Sequence, residues 1–423
     1  MQLIRGSRDS AFSNLPNELL LQISGYLSDN FEALHNVALL SKRLSAIARP
    51  ELFKVMNIRA LEEDYMEPYL CLVHELHSSE RYPGELLAAH LLHKLTARSF
   101  PKLRAFSIVK FNFLRPTWVC QKDLDVLGSL SSVTTLSLSR VVFLQPLEML
   151  AVICYIPHLT ALSLDRVAFA DGGVHDVSAF LLSPTPALNF DDVEERTKTR
   201  PPLARLALDV NPMTMYVVRW LDSAPSVLTT LAVDPISANA QIMLSSFGPT
   251  IVHLAAPLRS GGPLAPAEWI TSLRQYTALR TLTFYIDAYQ IFASANTCQW
   301  TRLLRVLQDG VAPTARAQLD ALTLSVRLTA PNLYMLDDAV CWWALDSLDS
   351  VLAGPECQYA GLKTMEIAVE WTPPSGSKRM SLDLWDAAEA VVAKIRKRMR
   401  KLEEAGKLVV RYKVLRELSD PLI

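Results

Sequence analysis

Beyond residue 100 the apolar positions of this chain fall into one recurring cadence, Leu-x-x-Leu-x-Leu. It is clear at Leu103-x-x-Phe106-x-Ile108, Val133-x-x-Leu136-x-Leu138, Leu159-x-x-Leu162-x-Leu164 and Leu203-x-x-Leu206-x-Leu208. It returns at Leu228-x-x-Leu231-x-Val233, more weakly at Ile251-x-x-Leu254-x-Ala256, and then at Leu279-x-x-Leu282-x-Phe284, Leu319-x-x-Leu322-x-Leu324 and Leu362-x-x-Met365-x-Ile367. The alternation inside each copy predicts a short strand with one buried face. Start-to-start spacings are 30, 26, 44, 25, 23, 28, 40 and 43 residues, several of them close to the ~20–29 residues of a strand-plus-helix repeat. Between the strands, Gln145–Ile156, Met213–Ala224, Asn239–Phe247, Trp300–Gln308 and Leu333–Leu352 carry helical spacing, and Pro157, Pro225 and Pro249 mark helix ends. One such unit cannot bury its own apolar face, so the units must stack.

The first sixty residues keep a helical period throughout. Leu19, Leu20, Ile23 and Leu27 recur as one face of a helix whose first turn holds Pro16 and Glu18, both suited to a helix start. Ser28-Asp29-Asn30 closes it and opens a second helix through Leu34, Val37 and Leu40. A third follows Ser41, carries Leu44 and Ile47, and ends near Pro50. Three helices of this length make a small core whose leftover apolar face seeks a partner. Residues 60–100 read as helical, with Tyr65–His77 and Gly84–Ala97 as candidates. Leu382–Ala405 predicts a long helix stopped at Gly406, and Leu408–Leu415 a last strand. Ser183–Pro202 and Thr372–Met380, rich in proline and polar groups, read as surface loops.

The motifs Leu15-Pro16-Asn17-Glu18-Leu19-Leu20, Ser41-Lys42-Arg43-Leu44 and Arg49-Pro50-Glu51-Leu52-Phe53 resemble, in that order, the F-box. The cadence behind them resembles degenerate leucine-rich repeats, although the Asn or Cys that commonly follows the strand stands only at Asn211. The resemblance implies an α/β chain: a three-helix F-box at 12–59, a helical link at 60–100, and at 101–423 an irregular solenoid of parallel strands and helices with a C-terminal capping helix and strand. A compact α/β domain would carry the same strand and helix periods and remains the alternative architecture. The F-box resemblance further implies docking on the Skp adaptor of SCF-type ubiquitin ligases, and through it on a cullin scaffold. Leu15, Pro16, Leu19, Ile23, Val37, Leu40 and Leu44 match the family's contact positions. The expected role is then a non-catalytic substrate receptor. Alternatives are a scaffold in another Skp-containing complex, or a leucine-rich sensor of a small molecule lined by Trp269, Trp342 and Trp343.

Composition narrows the field. Half of the 423 residues are hydrophobic and only 14 are glycine, which supplies a core and disfavours glycine-rich phosphate loops. The net charge of −1 divides into +2 over residues 1–60, +5 over 378–423 and −8 between them, so the acidic middle does not favour nucleic acid. Six cysteines (71, 120, 154, 298, 341, 357) form no Cys-x-x-Cys pair and read as reduced thiols of a cytoplasmic or nuclear protein. No apolar run reaches the ~18–20 residues of a membrane span.

Candidate chemistry is sparse. Positions alternating with the cadence leucines are small or polar, among them Thr135, Ser137, Ser163, Ala207, Thr230, Ala232, Thr281, Thr283 and Thr323. The residue after the cadence is aspartate in three successive copies, Asp165, Asp209 and Asp234. With Tyr285, Glu366 and Glu370 they suggest an acidic band for a basic substrate segment, or else each aspartate satisfies backbone N–H groups at the turn out of its strand. Lys394–Lys401 is a dense basic run, either a nuclear import or phosphate patch or a solvated helix face. His74, His77, His90 and His93 lack the His-Glu-x-x-His spacing of a zinc site. No nucleophile motif or metal-ligand spacing is present, and no metal, cofactor or catalytic residue is expected.

Overall fold

The computed structural model describes residues 15–27, 31–79, 95, 100–110, 119–170, 195–209, 214–222, 227–234, 245–258, 273–287, 299–329, 343–354, 357–372 and 382–414. Its amino-terminal helices are α1 (Asn17–Tyr26), α2 (Phe31–Leu40) and α3 (Lys42–Leu52). Ser41 caps α3, its hydroxyl accepting the Leu44 N–H at 3.1 Å. Leu20, Leu34, Leu44 and Ala48 close the small interior of this module. Leu20 and Leu19, read together from the sequence as one face, part company. Leu20 and Ser24 turn inward while Leu19 and Ile23 turn out, because a hundred degrees per residue separates neighbours on a helix.

A single sheet dominates the rest. Its strands are β1 (Val55–Asn57), β2 (Glu75–Ser79), β3 (Ala105–Val109), β4 (Thr135–Ser139), β6 (Ala161–Asp165), β8 (Arg205–Asp209), β9 (Thr230–Asp234), β10 (His253–Pro257), β11 (Thr281–Asp287), β12 (Ala321–Thr329), β13 (Thr364–Thr372) and β14 (Leu408–Val414). Every pairing is parallel, and the spatial order follows the chain order throughout. That order decides between the two architectures open to the sequence. A doubly wound α/β domain reverses its strand order at a switch point. Here each new strand adds to the last one, as in a solenoid. Two short strands, β5 (Val142–Phe143) and β7 (Ala168–Phe169), pair beside it.

The register stacks like on like. Leu76, Phe106, Leu136, Leu162, Leu206, Leu231, Leu254, Leu282, Leu322, Met365 and Leu408 occupy one row of partners across the sheet. All but Leu408 are fully buried. Two residues on, Ala256 stands beside Phe284, a small–large pair that keeps the row filled. The helices that cover this side are α4 (Gln121–Ser129), α5 (Pro146–Tyr155), α6 (Thr214–Asp222), α7 (Gln299–Arg305), α8 (Pro313–Gln318), α9 (Trp343–Ala353), α10 (Leu382–Arg398) and α11 (Arg400–Glu404). A π-helical turn, Val306–Gly310, extends α7.

The helical link expected over residues 60–100 is corrected by β2. Asp64–Leu72 is a 3-10 helix, and Glu75–Ser79 is a strand paired with both β1 and β3. The Leu76 row accounts for this: a lone inward leucine between polar neighbours fits a strand as well as a helix. The sheet therefore starts at Val55. Of Gly84–Ala97, only Leu95 is among the described residues, and most of Asn239–Phe247 and of both predicted loops lies outside them. The predicted tail helix is broken at Met399, which is fully buried between α10 and α11. Gly406, at φ +67°, ends α11 as expected.

The turn out of β4 and β6 repeats almost residue for residue, Leu136-Ser-Leu-Ser-Arg-Val-Val-Phe143 and Leu162-Ser-Leu-Asp-Arg-Val-Ala-Phe169. Arg140 and Arg166 both take the left-handed conformation, which costs about 1 kcal/mol for a residue with a Cβ. Val141 and Val167, fully buried, fill the place where Asn is common in such repeats. Backbone bonds replace the missing amide side chain: Arg140 N–H donates to the Asp165 carbonyl at 2.8 Å, and Ala168 N–H to that of Val141 at 3.0 Å.

Glu148, in the first turn of α5, is buried and accepts the Leu144 N–H at 2.9 Å. Burial raises its pKa to about 7, against the pull of its backbone hydrogen bonds. The native state thus holds the proton more tightly than the unfolded chain, whose glutamate titrates near 4.5. Stability from this site is complete below the unfolded value and falls as pH rises towards 7, by about 3 kcal/mol in total. Glu148→Gln keeps an acceptor and removes the charge. Urea midpoints for wild type and variant are expected to agree at pH 4 and to separate at pH 8, with the glutamine form the more stable.

Candidate docking and substrate faces

The amino-terminal module presents apolar side chains outward. Leu19 (45% exposed), Ile23 (36%) and Tyr26 (88%) recur at i, i+4 and i+7 on α1, and Leu40 (66%) and Leu39 stand at the end of α2. With Leu21 and Val55, this region holds seven of the eleven large exposed hydrophobics among the described residues. A concentration of that kind on one small module makes it the candidate docking surface. Of the contact positions read from the sequence, Pro16, Leu19, Ile23 and Leu40 are exposed and Leu15 and Val37 half-buried. Leu44 (6%) packs inside instead, one turn before buried Ala48 on the inner face of α3. Tyr26, Leu21 and Leu39 were not singled out from the sequence; a search for apolar residues on the outer helix faces finds them.

The entry to α1 is tied to α3. The Arg43 guanidinium donates to Asn17 Oδ1 through Nε at 3.0 Å and Nη2 at 2.7 Å, and Nη2 also reaches the Leu15 carbonyl at 2.6 Å. The other end of the module is tied to the 3-10 helix Asp64–Leu72. Phe53 stacks on Tyr69 with centroids 4.2 Å apart, and the Arg49 guanidinium lies 5.6 Å from the same tyrosine ring. The chain passes from α3 into β1 with two residues between them.

On the opposite side of the sheet from the leucine rows, small residues form a floor. Ser107, Ser137, Ser163, Ala207, Ala232, Ala255, Thr283 and Thr323 are successive register partners. Asp209 and Asp234 are direct partners on β8 and β9, and Asp165 ends the neighbouring β6 at the same position. Tyr285 continues that column two strands further on, after Pro257. Glu366 does not join it. It lies in the adjacent column, four strands from Asp234 and so roughly 19 Å away at ordinary strand spacing, and it faces Arg411 at 3.7 Å.

Two of the aspartates already have partners at the turn out of the strand. Asp165 Oδ2 accepts the Ser139 hydroxyl at 2.7 Å, and its Oδ1 lies 3.6 Å from Arg166 Nε. Asp209 Oδ2 accepts the N–H of left-handed Arg166 at 3.2 Å. The Asp209 carboxylate thus helps hold a backbone bend, and Asp165 already has a hydroxyl and a cation beside it.

The module's helices match a family model. Residues 12–59 match the F-box-like model. This part of the chain is an F-box-like domain. The leucine-rich repeat-containing protein LegL7 from Legionella pneumophila is similar in structure at 13% sequence identity and a TM-score of 0.37, over 78% of this chain and 91% of its own. A search of the curated proteins found no match.

Behind the F-box-like domain the remaining candidate chemistry resolves into packing. In the basic run, Arg398 pairs with Asp346 at 2.8 Å, Arg400 with Glu404 at 2.6 Å and Arg396 with Glu403 at 3.5 Å, so much of its charge is met on the helix surface. Burial pushes the Cys154 thiol up to about 12 and raises that of Cys120, the reverse of an activated nucleophile. His77 donates a hydrogen bond to Glu75 at 3.0 Å, which lowers the Glu75 pKa. His90, His93, Trp269 and Trp342 lie outside the described residues, as does the side chain of Trp343. Among the described residues no group of three His, Cys, Asp or Glu stands close enough to hold a metal, and no helix is long and apolar enough to cross a membrane.

Proposed function

We propose that this chain is a substrate receptor of an SCF-type ubiquitin ligase. The observation that carries the reading is the exposed apolar stripe Leu19, Ile23 and Tyr26 on a domain that matches the F-box-like model, followed directly by a long parallel sheet. In this reading the stripe docks on a Skp adaptor, the adaptor brings a cullin scaffold, and the small-residue face of the sheet holds a protein substrate. The chain itself makes and breaks no bond. Holding a substrate lysine close to a ubiquitin-loaded enzyme raises its effective concentration, which is sufficient for transfer. The Phe53–Tyr69 stack supports this division of labour, since a receptor must hold its cargo at a set distance from its dock. The protein would work in the cytoplasm, the nucleus or both.

Affinity purification with mass spectrometry tests the proposal. The full chain is compared with a Leu19→Asp, Ile23→Asp double variant, because removing residues 1–60 would also strip β1 and open the edge of β2. Adaptor and cullin should be captured by the wild type and lost with the variant. Adaptor without cullin would instead indicate a scaffold in another Skp-containing complex.

The substrate face has its own test. Asp165, Asp209 and Asp234, with Tyr285 beyond them in the column, are the proposed contacts, and Glu366 and Glu370 would act as a separate acidic group. Changing Asp234 alone to lysine spares Asp165 and Asp209, whose carboxylates are engaged with Ser139 and Arg166. The variant is expected to lose basic partners from the captured set while keeping the adaptor. A partner list identical to that of the wild type would rule out Asp234 as a contact.

A further inference from the structure

The F-box-like domain meets its partner, on the reading above, through a helix that is thinly held. Only Leu20 and Ser24 of the ten residues in α1 are buried. The residue before the helix is Pro16, and no side chain caps the helix start. Pro16 fixes its own φ but has no side-chain oxygen to accept the first N–H groups of α1, so the helix start draws no side-chain hydrogen bond from its own cap residue. Yet Leu19, Ile23 and Tyr26 must be presented at one angle for a rigid partner to bury all three.

We propose that Arg43 is the positioning residue of the docking face. Its planar guanidinium reaches two acceptors that flank Pro16, the Leu15 carbonyl and the Asn17 side-chain oxygen, with contacts of 2.6, 2.7 and 3.0 Å. Both acceptors belong to the chain entering α1, and the donor sits near the start of α3, itself anchored by the Ser41 cap and by buried Leu44 and Ala48. The fork thus transfers the fixed position of α3 to the free end of α1. Nη2 alone meets both acceptors, and Nε adds a second bond to Asn17 in the same plane, a bond that the single nitrogen of an ammonium would lack. Arg43 is polar and exposed, and it acts on the docking stripe through the helix that carries it.

The assignment rests on the adaptor reading, and the experiment separates the two. Arg43→Ala, Arg43→Lys and Asn17→Asp are made in the full chain and read in two ways: hydrogen exchange at α1, beginning with the Leu20 amide that donates to Pro16 at 3.2 Å, and affinity for a recombinant Skp adaptor. Arg43→Ala is expected to speed exchange along α1 and to weaken adaptor binding, each by about tenfold, with the melting temperature of the chain unchanged. Arg43→Lys should fall between alanine and wild type. Asn17→Asp should match or exceed wild type, because it makes the contact charge-assisted. Faster exchange beside unchanged adaptor affinity would reduce Arg43 to a local tether and overturn the assignment, as would unaltered exchange. If the wild-type chain itself fails to bind the adaptor, the docking reading falls.

Discussion

Replacing Leu19 and Ile23 together by aspartate is expected to weaken adaptor binding by more than about a hundredfold while leaving the melting temperature within about 2 °C of wild type. Each side chain is exposed in the free protein, so the folded state loses little. Full burial of such a side chain contributes about 1.5–3 kcal/mol; docking can bury the exposed part, under half of each, and an aspartate in its place must in addition be desolvated without a partner, which is the larger cost. Two sites together exceed the ~2.7 kcal/mol that corresponds to a hundredfold. The control is Leu20→Asp, one residue along. Leu20 is buried against the other helices, and its aspartate variant should unfold the module and show so in hydrogen exchange. Calorimetry on the purified chain and adaptor measures the first effect. Wild-type affinity in the double variant would remove the stripe from the interface.

The second large effect is expected at the far end of the solenoid. Asp349 on α9 is a buried carboxylate whose two oxygens accept the N–H groups of Lys401 and Leu402, each at 2.9 Å. The start of α11 has no side-chain cap of its own, so a neighbouring helix supplies it. Met399 beside it is fully buried, and Arg398 to Asp346 and Lys401 to Ser350 add surface ties at 2.8 and 3.0 Å. Asp349→Ala strands one buried and one partly buried donor and removes the negative charge beside the helix start, a loss of about 2–3 kcal/mol. Because each unit of a solenoid touches mainly its neighbours, the loss should stay local. Amides of Lys401–Val414 are expected to exchange faster, while those of β3 to β8 are unchanged. Asp349→Asn retains one acceptor and should show a smaller effect. A uniform change along the whole chain would contradict the local account.

The cadence made the sheet legible because period-2 burial leaves a direct mark on residue type. All nine copies are strands of the one sheet. Where an element had only a single inward leucine, as Leu76 in β2, the pattern did not separate strand from helix. The break at Met399 was hidden for another reason: the residue is apolar at a helical position, and what interrupts the helix is a cap supplied from α9, some fifty positions earlier. The candidate sites divide in the same way. Leu19, Ile23 and Leu40 could be read from spacing together with resemblance to the F-box. Leu44 could not be told from them, since inward and outward leucines on a short helix look alike until the packing is known. Asp165 and Asp209 formed a visible column, but their engagement with Ser139 and Arg166 depends on which strands lie side by side.

By itself, then, the sequence determined the two-part plan of this protein, helices with an unspent apolar face ahead of stacked strand units, because burial periodicity is a local property written in residue order. Only the tertiary structure decided that the strands add in chain order to one open sheet, which leucines are left outside, and which acids are already held. Those are outcomes of register and neighbour choice, and contacts between residues far apart in the chain leave no local pattern from which to read them.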